Sequence, residues 1–283
     1  MQKRSLDVVV ISDVHLGTYG CHAVELLHYL RSIQPRLLIL NGDIIDIWNF
    51  SKRYFPAAHL EVISEICRLA SSGTRVVYIT GNHDELLRKY SDLSLGNFQI
   101  TDKLVMEING QMCWIFHGDV FDASTKGSAK ILAKLGGKGY DLLILINSFI
   151  NWTLKLFGRE KMSFSKKVKA GVKKAVAWID NFEQTAAELA IEKKYDYVIC
   201  GHIHQPQQRT ITTGKGSVQY LNSGDWVENL TALEYYNNDW HLYQYDERTP
   251  LAPTFISKEK PRLNVMSEEV MLYIHSLVLD YTT

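Results

Sequence analysis

Five short stretches of this chain gather side chains that bind cations or move protons. They are Asp13-Val14-His15, Gly42-Asp43-Ile44-Ile45-Asp46, Gly81-Asn82-His83-Asp84, His117-Gly118-Asp119 and Gly201-His202-Ile203-His204. Singly, each is weak: a D-x-H occurs often by chance, and an Asp at a strand end is commonly a turn former or helix cap. Jointly, five strand ends in order deliver Asp, His or Asn, and that is far from chance. Residues two apart in an extended segment point the same way. Asp13 and His15 are therefore expected to reach one metal, and His202 and His204 to share a face. A carboxylate at Asp43 can bridge two cations. Gly81 permits a tight turn, Asn82 offers a carbonyl oxygen, and His83 offers a nitrogen or a proton.

The elements that must position these groups follow from apolar periodicity. Val8–Ile11, Leu37–Leu40 and Arg75–Thr80 read as buried strands, and Cys21–Ile33 and His59–Ala70 as helices. This alternation indicates an α/β sheet, with the ionisable residues where ligands bind in such sheets, beyond the carboxyl ends of strands. The second half is richer in strands. Leu104–Ile108 and Met112–His117 flank the turn Asn109-Gly110, and Tyr197–Cys200, Val218–Leu221, Thr231–Tyr236 and Trp240–Tyr245 follow, with Asn237-Asn238 as a second turn. Between them lies an insertion, about 123–195. It holds an apolar stretch at Leu142–Phe157, a basic amphipathic stretch at Lys166–Ile179 and a helix at Asn181–Ile191. The expected organisation is one domain over 1–249 carrying this insertion, then a linker and C-terminal helix over 250–283.

In this order, D-V-H, G-D-x-x-D, G-N-H-D, H-G-D and G-H-I-H resemble the calcineurin-like metallophosphoesterase superfamily. The resemblance covers roughly residues 7 to 246. It implies a four-layer αββα sandwich of two mixed sheets. It also implies a dinuclear centre, one metal on Asp13, His15, Asp43 and His204, the other on Asp43, Asn82, His117 and His202. The donors are nitrogen and oxygen without thiolate, which suits Mn²⁺ first, or Fe or Zn²⁺. Two such ions clamp an in-line displacement at phosphorus. His83 is then the candidate for protonating the leaving oxygen or binding the equatorial one, with Asp84 as its orienting partner or as a helix N-cap. Asp46 and Asp119 are expected to orient ligands.

Within the superfamily the chain most resembles the UDP-2,3-diacylglucosamine diphosphatases of lipid A biosynthesis. The resemblance rests on I-S-D-V-H-L-G at 11–17, L-N-G-D-I-I-D-I-W at 40–48, G-N-H-D-E-L-L at 81–87 and F-H-G-D-V-F-D at 116–122. It implies hydrolysis of a pyrophosphate in a lipid-linked nucleotide sugar. The chain departs at residue 83, where the best-known branch has Arg; His is the pattern of the broader superfamily. The apolar stretch beside Lys166, Lys167 and Lys169 has the make-up of an interfacial element or acyl-chain pocket, and the lysines suit a diphosphate. The other reading is a helical cap with solvated lysines.

Bulk composition sets limits. The chain has 283 residues, 46% of them hydrophobic, with 31 Lys plus Arg against 31 Asp plus Glu. Zero net charge argues against a nucleic-acid partner. Cys21, Cys67, Cys113 and Cys200 form no CxxC pair and read as reduced thiols. The sequence shows no signal peptide, so a cytoplasmic location with contact to the inner membrane surface is expected. A generic phosphodiesterase or nucleotide phosphatase, and a metal-free scaffold, are the alternative readings.

Overall fold

A computed structural model describes residues 3–48, 54–121, 179, 181–246 and the backbone of 263–265. The chain divides into two compact units, residues 1–118 with 185–283, and residues 119–184. The stretch Leu142–Phe157, Lys166, Lys167, Lys169 and the expected helix at Ser267–Val278 lie outside the described residues.

The first unit holds two mixed sheets. In the first, β1 (Arg4–Ile11), β2 (Ile33–Asn41) and β3 (Arg75–Ile79) are parallel neighbours. Strands β4 (Ser94–Leu95) and β5 (Phe98–Thr101) extend one side, and β11 (Thr231–Tyr236) and β12 (Asp239–Gln244) the other, giving the order β12-β11-β1-β2-β3-β5-β4. The second sheet combines β6 (Lys103–Ile108), β7 (Gln111–Phe116), β8 (Tyr197–Cys200), β9 (Gln207–Thr213), β10 (Gly216–Asn222) and β13 (Leu263–Val265). Its order is β13-β6-β7-β8-β10-β9, with β7, β8 and β10 parallel.

Strand alternation explains how these layers stack. Val8, Val10, Leu37, Ile39, Val77 and Ile79 face one way from the first sheet. They form one core with Met106, Ile108, Cys113, Ile115, Ile199 and Leu221 of the second. The intervening residues Val9, Ile11, Leu38, Leu40 and Val76 face a separate core. There they meet helices α1 (Ala23–Ser32) and α2 (Ala57–Ser71). Each helix presents an apolar stripe at helical spacing: Ala23, Leu26, Leu27 and Leu30 on α1, and Val62, Ile66 and Leu69 on α2. A third helix, α3, spans 181–192, and its Ala186, Ala187 and Ala190 are buried. The expected two-sheet α/β architecture is therefore present. Among the described residues no helix is long and apolar enough to cross a membrane.

Local signals account for the connections. Asn109 and Gly110 have φ of 52° and 81°, and Asn237 and Asn238 have 52° and 64°. Both pairs are left-handed, as tight hairpin turns between twisted strands require. Strand β2 runs further back than its apolar run because Pro35 lies within it. Pairing with β3 begins only at Leu37, so the missing Pro35 N–H disturbs no ladder on that side. The segment read as a linker after residue 250 contains β13, which pairs antiparallel with β6.

One polar cluster lies inside the helix-facing layer. Arg4 donates through Nη1 and Nη2 to the two carboxylate oxygens of Glu234, at 2.9 and 2.7 Å. The Tyr29 hydroxyl donates to the same carboxylate at 2.9 Å. All three residues are buried. Removing one partner of such a pair strands the other charge in the core, which costs about 3–5 kcal/mol. Glu234→Ala is therefore expected to lower the unfolding free energy by about that amount, read as a fall in the urea midpoint. An unchanged midpoint would show that Arg4 finds water instead.

Candidate metal centre

The five motifs come together because of strand direction. Asp13 and His15 follow β1, Asp43 follows β2, and Asn82 and His83 follow β3. His117 follows β7, and His202 and His204 follow β8. Three parallel strands of one sheet and two of the other thus deliver their carboxyl ends to one place.

Three overlapping clusters result. Asp13, His15 and His204 have ligand atoms within 4.8 Å of one another, as do His15, Asp43 and His83, and Asp43, His117 and His202. The contacts inside them are close without being hydrogen bonds. His204 Nε2 lies 3.1 Å from Asp13 Oδ1, and His117 Nε2 lies 3.2 Å from Asp43 Oδ2. Yet Asp13 Oδ1 and His15 Nε2, members of one cluster, are buried with no hydrogen-bond partner, as is Asn82 Oδ1. A buried polar atom left unpaired is costly, and two of them in one cluster need an explanation. Nitrogen and oxygen donors about 2.0–2.2 Å from a shared cation supply one. The donor set therefore fits divalent metal ions.

The opposite edge of each side chain is held by the protein. The His202 amide donates to Asp13 Oδ2 at 3.0 Å, and the His83 amide donates to Asp43 Oδ1 at 2.8 Å. Each carboxylate keeps its other oxygen for the cluster. His117 Nδ1 donates to the Asn41 carbonyl at 2.9 Å, since a carbonyl only accepts. This fixes the tautomer and leaves a lone pair on Nε2, the atom that faces Asp43.

Charge at the site follows the same geometry. Burial pushes the Asp13 carboxyl up, but the adjacent His204 imidazole outweighs it and holds the group down at about 2. Burial alone would lower His204, whereas Asp13 and Asp225 raise it to about 9. Asp43 is likewise held low against its burial, chiefly by His117. The carboxylates are thus ionised, and their field favours positive charge in the centre. A bound dication would replace the histidine protons in that role.

Three expectations are corrected. Asp13–His15 is not extended: Asp13 has φ 52° and His15 φ 55°. The two side chains still converge, because Asp13 N donates to the Gly42 carbonyl and His15 N to the Asp43 carbonyl. His202 and His204 do not share a face either. With φ of 66° and 52°, they diverge into different clusters. Asp84 is not the orienting partner of His83. Its oxygens accept from Gly81 N at 2.6 Å, Ile44 N at 3.0 Å and Tyr78 Oη at 2.6 Å. It makes no side-chain cap to the 3₁₀ turn Glu85–Tyr90. Asp84 instead ties the second motif to the third. The residue beside His83 is Asp46, whose Oδ2 lies 3.1 Å from His83 Nδ1 and 3.4 Å from His15 Nδ1. Burial lowers the His83 imidazole, and Asp46 and Asp43 more than restore it. Asp119 is half-buried and opens the second compact unit.

Sequence reasoning missed a sixth strand end, Asn222-Ser223-Gly224-Asp225-Trp226 after β10. Asn222 Nδ2 donates to the Gly201 carbonyl at 2.8 Å, and Trp226 N to the Asp13 carbonyl at 3.1 Å. Asp225 accepts amides from Val227 and Asn229 at 2.8 and 3.1 Å, and its other oxygen lies 3.8 Å from His204 Nδ1. A Gly-Asp pair after an apolar run was the available signal. Trp48 was missed as well: it is exposed, with its ring 5.3 Å from that of His83.

Space is as constrained as charge. A Cβ on Gly81 would strike the Asp43 carboxylate and sit 2.8 Å from the His117 ring. Gly214, by contrast, has nothing within 4 Å and no left-handed φ. Gly81→Ala is therefore expected to fold but to bind less metal per chain, measured by elemental analysis after dialysis. Gly214→Ala should match the unaltered protein. Equal metal in all three would show that Asp43 and His117 can move aside.

The chain is similar to known proteins. A family model for calcineurin-like phosphoesterase matches residues 6–206. A UDP-2,3-diacylglucosamine hydrolase of Ectopseudomonas mendocina (strain ymp) is 26% identical over 233 residues, covering 80% of this chain and 93% of its own. One of Enterobacter sp. (strain 638) is 26% identical over 243 residues, covering 83% and 97%. One of Aliivibrio fischeri (strain MJ11) is 22% identical over 248 residues, covering 84% and 98%. With the matched family model spanning most of its length, and buried donors suited to divalent metal, this chain belongs to the calcineurin-like phosphoesterase family of metal-dependent phosphoester hydrolases.

Proposed function

We propose that this enzyme hydrolyses the pyrophosphate of UDP-2,3-diacylglucosamine, releasing UMP and 2,3-diacylglucosamine 1-phosphate. One observation carries the chemistry: Asp13, His15 and His204, His15, Asp43 and His83, and Asp43, His117 and His202 bring their ligand atoms together in clusters that adjoin at His15 and Asp43. The substrate assignment is supported by relatives that share nearly their whole length with this chain and bear that activity in their names.

In this reading Asp13, His15, Asp43 and His204 hold one cation, and Asp43, Asn82, His117 and His202 the other. Mn²⁺ is the preferred ion, with Fe or Zn²⁺ as substitutes, because the donors are imidazole and oxygen without thiolate. Two ions there supply Lewis-acid polarisation of a phosphoryl group and an acidified water. The protein residues do the rest. The Asn41 carbonyl keeps His117 in the tautomer that presents Nε2. Asp46 Oδ2 is hydrogen-bonded to the Nδ1 edge of His15 and lies 3.1 Å from that of His83, on the side of each ring away from its Nε2. His83 gives its proton to the bridging oxygen as the phosphorus–oxygen bond breaks, water adds its oxygen to the phosphorus, and the proton that water gives up leaves to solvent, from which His83 is reprotonated. Lys166, Lys167 and Lys169, outside the described residues, are assigned to the diphosphate. The insertion at about 123–195 is assigned to the acyl chains and to contact with a membrane surface.

His83 also supports a second reading, a phosphodiesterase or nucleotide phosphatase of broader specificity, since the best-known diphosphatase branch has Arg there and His is the pattern of the broader superfamily. The deciding assay gives metal-loaded protein UDP-2,3-diacylglucosamine and follows UMP release. Asp43→Ala and Asn82→Ala are expected to abolish turnover. Asp46→Asn should lower kcat by about 10²–10⁴, the range of general acid–base catalysis, with little change in KM. Turnover of a simple phosphodiester but not of the lipid substrate would favour the second reading. Inactivity on both, with no metal bound, would leave a scaffold.

A further inference from the structure

We propose that Tyr19 forms the nucleobase subsite of this enzyme, stacking the planar base of the nucleotide half of the substrate on its free ring face. The inference rests on the nucleotide-linked reading above. Residues from Ser12 to Gly17 are all buried, and the chain then turns outward. Tyr19, four residues past His15, is 78% exposed, more than any other large apolar side chain among the described residues. An isolated surface tyrosine needs no explanation, but this one is built in. Its ring stacks on Tyr54 with centroids 3.7 Å apart and planes tilted by 33°. Tyr54 in turn stands edge-on to the buried His59.

The loop beneath the ring is held along its length. Leu16 bridges to Ile45, and Leu16 N donates to the Ile44 carbonyl at 2.9 Å. Gly17 N donates to His59 Nδ1 at 2.9 Å, and both the amide and the hydroxyl of Thr18 donate to the His15 carbonyl. Beyond the tip, His22 N donates to the Trp226 carbonyl at 2.9 Å. The same hydrogen bonds that set His15 therefore set Tyr19. A ring fixed before binding loses little freedom when a second ring settles on it.

The chemistry of the platform selects a base over an acyl chain. A hydrocarbon chain gains from being enclosed, and a single ring this exposed encloses nothing. A base gains from a flat π surface even when its edges stay wet, as single-stranded nucleic-acid sites show. Four residues span at most about 14 Å, and one ribose separates a nucleotide's base from its phosphate. A phosphate at the metal centre and a base on Tyr19 can therefore belong to one molecule.

The test is equilibrium binding of UMP and of ribose 5-phosphate to metal-loaded protein by titration calorimetry. The two share sugar and phosphate and differ in the base. The unaltered protein should bind UMP more tightly than ribose 5-phosphate. Tyr19→Ala should weaken UMP about tenfold and leave ribose 5-phosphate unchanged, while Tyr19→Trp should keep the UMP preference. Equal weakening of both ligands would overturn the proposal, since a disturbed loop, not a lost stack, would explain it. A Tyr19→Ala protein that retains the preference, and still cleaves UDP-2,3-diacylglucosamine, would overturn Tyr19 but leave the substrate standing. No preference in the unaltered protein, with simple phosphodiesters still cleaved, would remove the nucleotide reading and the subsite together.

Discussion

Asp43 answers to both sheets at once. Its backbone carbonyl accepts the amides of Val14 and His15, which fixes the loop after β1. One carboxylate oxygen accepts the His83 amide, which fixes the loop after β3. The other faces His117 from the second sheet, without the alignment of a hydrogen bond. The contacts of the carboxylate depend on Asp43 being buried and ionised. Buried charge is tolerated only with compensation, and here the compensation is divided between backbone amides and a place for a cation. The rest of the site is arranged around that division.

The arrangement is bought with backbone strain. Asp13, His15, Asp43, His202 and His204 all sit at φ between 52° and 66°. Non-glycine residues rarely occupy this region, and concentrations of them mark functional sites. The conformation bends each chain sharply after its strand and turns the side chain inward, where an extended segment would carry it past. Neighbouring loops hold the bends: Asp84 ties Ile44 to Gly81, and Asn222 ties Gly201 to β10.

This division explains what was legible in the sequence. Apolar runs gave the parallel strands and the two main helices, because burial on both faces leaves an unbroken β-branched signature. The Asn-Gly and Asn-Asn turns gave the hairpins for equally local reasons. The short strands β4 and β5 and the edge strand β9 were missed: β4 and most of β9 are exposed, and β5 spans only four residues, too few to carry a pattern. At the site, residue types and order gave the donors, since chemistry restricts which side chains serve. The sequence could not give their dihedral angles. Asp13 and His15 therefore looked like two residues of a strand, and Asp84 looked like the neighbour of His83. Both errors concern the direction of a side chain after a bend, which depends on partners up to 40 residues away in Asp43 and Ile44. Asp225 and Asn222 were overlooked because they support the histidine motif and do not resemble a cation site themselves.

The clusters draw on opposite sheets: Asp13 and His15 with His204, and Asp43 with His117 and His202. An ion in either position is a cross-link between two layers that also meet through an apolar core and a few hydrogen bonds, such as His117 Nδ1 to the Asn41 carbonyl. Anything that binds the assembled form and not the open chain shifts the balance toward assembly in proportion to its concentration. Cation supply therefore acts on the lifetime of the whole protein as well as on its turnover. In a metal-starved cell, the seam between the sheets would be the first place to part, and the same scarcity that idles the enzyme would mark it for removal.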